Sequence, residues 1–375
     1  MKTCKVCFVS LFAYHYFNPG ANNEIGGAEL QLYTMATELA KDEHYDVSFI
    51  MGDFDQPLVE IREGVKLYKL MLPRSIAYVR TVVEYASLWK LLKKIDADIY
   101  VQRAAGMITG VISLFCKAHG KQFIYMVAHD QDVSGTKPSW MPGGIVGLID
   151  WKLFQVGLLT ATQVVVQHER QMKALRNRHR VEGCIRPSAH RIVSLSNDVQ
   201  RDIILWIARC ERWKQPEIFI EMAKKYPWEK FVMICPAAND LAYFKTVNAV
   251  ADGISNIEFI DFVPYHKVYD YFRRSKLFVN TSVSEGFPNT FVQASMCGTP
   301  ILSLAVNPDG IFDKHRIGVY CENDAMKLRG EVGHLLTNSL LWTELSINAR
   351  AYALKYHDIR IIIEFDKEMF RQCIK

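Results

Sequence analysis

Short apolar runs alternate along the chain with longer segments in which apolar residues recur every three or four positions. The short runs are typical of buried strands, and the longer segments are typical of helices that bury one face. In the first half, strands are predicted at residues 5–11, 47–51, 99–102, 123–128 and 164–167. Helices are predicted around Leu32, Met35, Ala36 and Leu39, and at 80–94, 106–119 and 144–159. This alternation predicts an α/β domain with a mainly parallel sheet.

The second half repeats the alternation. Strands are predicted at 203–208, 231–235, 257–260, 277–280 and 301–304, with helices at 216–226, 265–274 and 289–297. Apolar periodicity lapses between residues 187 and 200, where Pro, Ser, Asn and Asp cluster. We therefore expect two doubly wound, Rossmann-like domains, 1–190 and 191–355, with a ligand cleft between them. The remaining segment, 356–375, is predicted to be a helix that packs back on the first domain.

Composition indicates a compact globular enzyme. The chain has 375 residues, half of them apolar and 23% charged, with a formal net charge of +5. Its most apolar long segment, 143–166, is interrupted by Asp150, Lys152 and Gln155, so no membrane-spanning helix is predicted. The nine cysteines are scattered through apolar runs, and Cys4 and Cys7 lie within the first predicted strand. This usage suits a reducing compartment and predicts a cytoplasmic protein.

Positive charge is concentrated in residues 170–191, which contain seven basic residues and one acidic residue. One interpretation is an ordinary solvated helix end and loop. Another is a patch that meets a phosphorylated acceptor, nucleic acid or the anionic inner face of a membrane.

Two polar loops follow predicted strands of the second half. The first, Glu285-Gly286-Phe287-Pro288-Asn289-Thr290, leads into a helix that Gly298 and Pro300 would end. A helix start offers free backbone N–H groups to an anion such as phosphate. The second loop places Arg209 and Lys214 five residues apart, so both cations can reach one diphosphate. The alternative is that they form surface ion pairs with Glu211 and Glu217.

These loops carry a resemblance to a known family. The segments Trp206-Ile207-Ala208-Arg209, Lys214-Gln215-Pro216, 285–289, 297–300 and 307–310 resemble the retaining glycosyltransferases of family 4. In the N-terminal half, Gly26-Gly27-Ala28-Glu29 and residues 123–132 are similar to that family. The resemblance implies the GT-B fold, in which two Rossmann-like domains face each other across a cleft. It also implies a nucleotide-diphosphate sugar donor, a carbohydrate or glycoconjugate acceptor, no metal or other cofactor, and no nucleic-acid partner.

By the same resemblance, Arg209 and Lys214 would hold the diphosphate, Glu285 would accept hydrogen bonds from the sugar, and His129 would contact the sugar. Backbone N–H groups from Phe287 to Thr290 would add phosphate donors. The implied donor-binding residues are Gly26, Gly27, Phe262, Val263, Gly286, Phe287, Pro288, Asn289, Thr290 and Gln293. Asp130 and Asp132 are secondary candidates for the same sugar contact as His129. Alternatively, Asp130 caps a turn. Trp140 would stack on an acceptor sugar or pack internally.

One position departs from the family pattern. Gln293 stands where the family has a second glutamate that accepts two hydrogen bonds from the ribose. Losing a charge-assisted hydrogen bond is expected to lower nucleotide affinity several-fold. A sugar-nucleotide-binding subunit without activity is therefore an alternative function. An epimerase and a phosphorylase on the same fold are further alternatives. An NAD-dependent oxidoreductase is disfavoured because no GxGxxG follows the first strand.

Overall fold

The computed structural model describes residues 3–18, 26–71, 77–137, 141, 143–195 and 199–374, without the side chains of residues 77–82 and 107. Its contacts divide the chain into two compact units. The first unit contains the residues up to Ala189 and those from Ile359 onward, and the second contains His190–Asp358. Trp140 lies outside the described residues, so its predicted role stays a prediction.

The first unit is built on one twisted sheet, with eight strands in the part of the chain described. Its spatial order is β3-β4-β2-β1-β5-β6-β7-β8, and every pair is parallel except β3 with β4. The strands are β1 (Cys4–Val9), β2 (Tyr45–Met51), β3 (Val59–Arg62), β4 (Val65–Lys69), β5 (Ile99–Arg103), β6 (Gln122–Met126), β7 (Gln163–Val166) and β8 (Gly183–Ile185). The central strands are continuous apolar runs because helices cover both faces of a parallel sheet.

Helices follow most of these strands. They are α1 (Tyr14–Phe17), α2 (Gly27–Leu39), α3 (Ala77–Ile95), α4 (Met107–His119), α5 (Gly144–Thr160) and α6 (Glu169–Ala174). Helices α4 and α5 pack closely because a glycine of each faces the other helix. A Cβ on Gly110 would lie 2.3 Å from the carbonyl oxygen of Leu153, and one on Gly157 would lie 2.7 Å from the carbonyl carbon of Thr109. No larger residue fits either position without moving backbone.

The second unit has an all-parallel sheet, with six strands among its described residues in the order β11-β10-β9-β12-β13-β14. The strands are β9 (Ile203–Ile207), β10 (Lys230–Ile234), β11 (Ile257–Ile260), β12 (Ser275–Asn280), β13 (Ile301–Ser303) and β14 (Gly318–Tyr320). The helices are α7 (Pro216–Lys225), α8 (Leu241–Asp252), α9 (Tyr265–Arg274), α10 (Asn289–Met296), α11 (Ile311–His315), α12 (Ala325–Thr337) and α13 (Ser339–Tyr356). Since all strands run in one direction, their carboxyl ends share one edge of the sheet.

The last helix, α14 (Ile359–Ile374), belongs to the first unit. Asp366 of this helix accepts hydrogen bonds from Nε and one terminal nitrogen of Arg186, at 2.6 and 2.7 Å, and both side chains are fully buried. Arg186 therefore cannot form part of the basic surface predicted at 170–191. Contact of the remaining basic residues with a membrane stays a prediction. No helix in the described residues is long and apolar enough to cross a membrane.

The structure also contains elements that the sequence analysis did not predict. Strands β3 and β4 form an antiparallel hairpin, and the region between β1 and α2 contains the short helix α1. Helices α8, α12 and α13 start after the side-chain caps Asp240, Asp324 and Asn338, respectively. The nine cysteines, all within the described ranges, are free thiols.

Candidate functional site

Two loops meet at the carboxyl edge of the second sheet, where β9 and β12 are neighbours. The loop after β9 forms a single 3₁₀ turn at Arg212–Lys214. The Thr281 hydroxyl donates to the carbonyl of Lys214 at 2.5 Å, and the Val283 N–H donates to the carbonyl of Trp213 at 2.9 Å. The indole N–H of Trp206 donates to Thr281 Oγ1 at 2.8 Å. These bonds fix the first loop against the end of β12.

Lys214 and Glu285 form an ion pair between Nζ and Oε1, with each side chain about one-eighth exposed. Ser282 Oγ donates to the same carboxylate oxygen at 2.8 Å, whereas Oε2 has no partner among the described residues. Burial lowers the pKa of the Lys214 ammonium, and the nearby Arg209 acts in the same direction while Glu285 opposes it. A cation and an acceptor oxygen are thus held side by side.

Arg209 follows β9 and is exposed. Its guanidinium forms no hydrogen bond or ion pair with any residue that the structure describes. The alternative ion pairs with Glu211 and Glu217 are absent from the described part of the chain, since Lys214 pairs with Glu285 and Glu217 accepts a hydrogen bond from the Tyr243 hydroxyl. A guanidinium without a carboxylate partner, close to a second cation, suits an anionic ligand.

Helix α10 begins at Asn289, directly after Pro288, and no side chain caps its first turn. A helix start without a side-chain cap, with its dipole, suits an anionic ligand. Pro288 has no N–H, so the predicted phosphate donors reduce to Phe287, Asn289 and Thr290. The helix ends as predicted before Gly298, whose φ of +60° favours glycine.

Other predicted donor residues lie at the same edge or on the same helix. Gln293 is on α10 and is 5% exposed. Phe262 and Val263 follow β11, which is separated from β9 by β10 alone. The structure thus places Phe262 and Val263 after a strand at the same edge of the sheet as the two loops, and Gln293 on the helix that follows the second loop.

The first unit carries the remaining predicted residues at the carboxyl ends of its own strands. His129 follows β6, and its Nδ1 accepts a hydrogen bond from the Gln131 N–H at 3.1 Å. In the neutral ring the proton is then on Nε2, which makes Nε2–H a donor. Gly26 precedes α2, and a Cβ there would lie 1.9 Å from Glu29 Oε2, at the end of a flexible side chain that can move aside.

Asp130 does not cap the turn after His129. Asp132 does so instead, with Oδ2 accepting the N–H groups of Ala128 and His129 at 2.9 and 3.2 Å. Asp130 accepts hydrogen bonds from the side chains of His168 and Gln171, both at 3.1 Å.

Comparison with known proteins identifies the second unit. Residues 201–338 match the family model described as Glycosyl transferases group 1. The chain contains a glycosyl transferases group 1 domain. This domain includes both polar loops, α10 and all of β9 to β14.

The curated relatives match a similar share of the chain. The D-inositol 3-phosphate glycosyltransferase of Mycolicibacterium smegmatis is 26% identical over 151 residues, which are 36% of this chain and 34% of that protein. A protein of the same name from Mycobacterium sp. (strain KMS) is 27% identical over 152 residues, 36% of this chain and 35% of its own length. The match therefore spans about a third of these relatives.

Solved structures resemble nearly the whole chain. Sucrose-phosphate synthase from Thermosynechococcus elongatus has a TM-score of 0.78 at 14% identity, covering 98% of each chain. WaaG, a glycosyltransferase involved in lipopolysaccharide biosynthesis, has a TM-score of 0.71 at 15% identity, covering 97% of this chain and 99% of that one. These likenesses confirm the predicted α/β fold class of two Rossmann-like domains of the GT-B type.

Several supporting residues of the site were missed in the sequence. Thr281 and Ser282 organise the two loops although neither was predicted to function. The sequence did contain a signal for them, because Thr281 and Ser282 directly follow a predicted strand and Ser282 lies three residues before Glu285. Trp206 was part of the quoted motif, but its hydrogen bond to Thr281 could not be read from the sequence.

Proposed function

We propose that this chain transfers a hexose-type sugar from a nucleotide-diphosphate sugar to an acceptor hydroxyl, with retention of the anomeric configuration. The acceptor would be a carbohydrate or glycoconjugate, and no metal ion would be required. The observation that carries the proposal is Arg209, an exposed guanidinium without a partner among the described residues, beside the ammonium of Lys214. The group 1 match over the same residues supports it.

Arg209 and Lys214 would bind the diphosphate and stabilise the negative charge that grows on it as the glycosidic bond breaks. Donors fixed in place before the reaction stabilise such charge without reorganising. The uncapped N–H groups of α10 would bind the same phosphates. Lys214 would exchange part of its interaction with Glu285 for one with phosphate.

Glu285 Oε2 would accept a hydrogen bond from a sugar hydroxyl, since Oε1 is already engaged by Lys214 and Ser282. His129 would contact the sugar through Nε2–H. In the proposed front-face displacement, the bond from the anomeric carbon to the leaving phosphate oxygen breaks. The acceptor oxygen bonds to the same face, and its proton passes to the leaving phosphate.

The first test is a thermal-shift panel of UDP-, GDP- and ADP-sugars, followed by a donor-hydrolysis assay with the sugar that binds. A ligand that binds only the folded state raises the melting temperature. We expect one base to be preferred and Glu285→Ala to lose hydrolysis. Glu221→Ala, which removes an exposed carboxylate of α7, should keep it. No melting shift with any of these nucleotides would contradict the proposal.

A second candidate is a sugar-nucleotide-binding subunit without activity. It is favoured by Gln293, which is buried on α10 where the family pattern has a glutamate. Nucleotide binding without hydrolysis, and without transfer to any acceptor, would support this candidate over the first.

A further inference from the structure

Arg103 is the last residue of β5 and lies at the carboxyl edge of the first unit's sheet. It is 7% exposed. No carboxylate forms an ion pair with it within the described residues, and its Nε finds no hydrogen-bond acceptor there. The side-chain amide of Gln167 is oriented so that both its nitrogen and its oxygen have hydrogen-bond partners. In this orientation the oxygen accepts a hydrogen bond from a terminal nitrogen of Arg103 at 2.8 Å. The guanidinium is buried but only partly hydrogen-bonded.

Two charged residues near Arg103, Asp132 and Arg186, interact with other groups of the protein. Asp132 accepts hydrogen bonds from two backbone N–H groups and from the Tyr125 hydroxyl, and Arg186 is paired with Asp366. Burial lowers the pKa of Arg103 to about 10, Arg186 contributes in the same direction, and Asp132 and Glu29 oppose the shift. Burying a charge without a close counter-ion costs stability, and a bound oxyanion would supply the missing counter-charge.

The backbone that carries Arg103 is held in an uncommon conformation. The next residue, Ala104, has a φ of +74°, which a residue with a Cβ seldom adopts. The Gln102 side chain donates to the Ala104 carbonyl at 2.6 Å and accepts from the Thr109 hydroxyl at 2.9 Å. Strain of this kind persists only where surrounding contacts enforce it, and it is concentrated at binding and active sites.

Arg103 is also grouped with other polar residues. The strands β5, β6 and β7 are neighbours, and their carboxyl ends carry Arg103, His129 and Gln167, respectively. This edge of the first unit therefore presents a cation flanked by hydrogen-bonding side chains.

We propose that Arg103 binds an oxyanion, a phosphate or carboxylate group carried by the acceptor. The fork of N–H donors on a guanidinium matches two oxygens of such a group. The oxyanion site stands on the geometry of Arg103, and only its assignment to the acceptor rests on the proposed function. The acceptor would thus be recognised by an anionic group as well as by its hydroxyls.

The test uses the full chain with Arg209→Met as the background, because this substitution weakens the proposed diphosphate site of the second unit by removing one of its two cations. Melting temperatures are measured with glucose 6-phosphate, glucuronate and glucose at constant ionic strength. We expect glucose 6-phosphate or glucuronate to raise the melting temperature and glucose not to do so. The first sugar reports phosphate recognition, and the second reports carboxylate recognition.

Adding Arg103→Met should abolish that rise, whereas adding Arg371→Met, which removes a cation of α14 whose side chain is 56% exposed, should leave it intact. Arg103→Lys should keep a smaller rise, because the charge remains and the fork is lost. Without ligand, Arg103→Met should melt at the same temperature as its parent or higher, since it removes a buried charge.

The inference is overturned if the anionic sugars behave like glucose, if their effect survives Arg103→Met, or if Arg103→Met prevents folding. The last result would mean that Arg103 is structural. The proposed function is judged separately, from nucleotide binding by the wild type and by Arg209→Met alone.

Discussion

Strand β9 has an arginine near each end, and the two have opposite surroundings. Arg201, before the strand, donates to the carbonyls of Ser275 and Cys297, both at 2.6 Å, and to Thr299 Oγ1 at 2.9 Å. The guanidinium of Arg209, after the strand, has no partner among the described residues. The same residue type therefore serves structure at the amino edge and is available for a ligand at the carboxyl edge. The hydrogen-bond partners, rather than the charge, distinguish the two roles.

Helix α10 links the two edges of the sheet. Its carboxyl end has carbonyls without partners inside the helix, and Arg201 satisfies that of Cys297. A cation is favourable there because of the helix dipole, whereas an anion is favourable at the amino end. That amino end has no side-chain cap. The protein itself supplies a hydrogen-bond donor at the carboxyl end of α10, whereas the amino end suits a phosphate.

The largest expected effect is on catalysis by Arg209→Ala. Removing one donor aimed at developing negative charge typically lowers turnover by about 10²–10³-fold. The melting temperature without ligand should stay near that of the wild type, because no side-chain hydrogen bond or ion pair with a described residue is lost. Steady-state donor turnover and thermal unfolding measure the two quantities. Near-normal turnover would remove the diphosphate assignment.

Arg201→Ala should show the reverse pattern. We expect the free energy of unfolding to fall by about 2–3 kcal/mol, because buried acceptors lose a charged donor. Affinity for a nucleoside diphosphate should change little. Urea unfolding and calorimetric titration test this pair of outcomes. A loss of affinity as large as that of Arg209→Ala would break the comparison between the two arginines.

The pH dependence of nucleotide binding should be set by Lys214. Its pKa is lowered by burial, so the ammonium loses its proton at a lower pH than an ordinary lysine. Since the charged form binds phosphate, affinity should fall as the pH rises through that lowered pKa. Lys214→Arg should retain affinity to higher pH, because a guanidinium stays protonated. Identical pH profiles for the two proteins would argue against contact between Lys214 and phosphate.

The smallest expected effect comes from Gln293→Glu. A carboxylate in place of the amide should restore a charge-assisted hydrogen bond to the nucleotide, worth about 1 kcal/mol, or a several-fold gain in affinity. Titration of the preferred nucleoside diphosphate measures it. A weaker affinity would show that this position does not contact the ribose.

Most elements could be predicted because buried strands of parallel sheets are continuous apolar runs, and helix α9 has the predicted bounds. The hairpin of β3 and β4 was missed although its signal is present. Apolar and polar residues alternate on either side of Glu63-Gly64, and both residues have positive φ, as a tight hairpin turn requires. Its β3 strand is largely exposed, and such a strand contains no continuous apolar run that would reveal it.

The site was predicted in part. Motifs brought Arg209, Lys214 and Glu285 to one sheet edge. The alternative of an ion pair between Lys214 and a local carboxylate did not anticipate its partner Glu285, which is 71 residues away. Similarly, nothing near Arg186 indicates its partner Asp366, 180 residues away. Such pairings depend on strand order and helix packing, which residue spacing does not encode.

The most direct test of the central claim is a crystal structure of the protein with the nucleoside diphosphate that gives the largest thermal shift. We predict phosphate oxygens within hydrogen-bonding distance of both Arg209 and Lys214, at the amino end of α10. A diphosphate bound elsewhere, with Arg209 directed into solvent, would contradict the account.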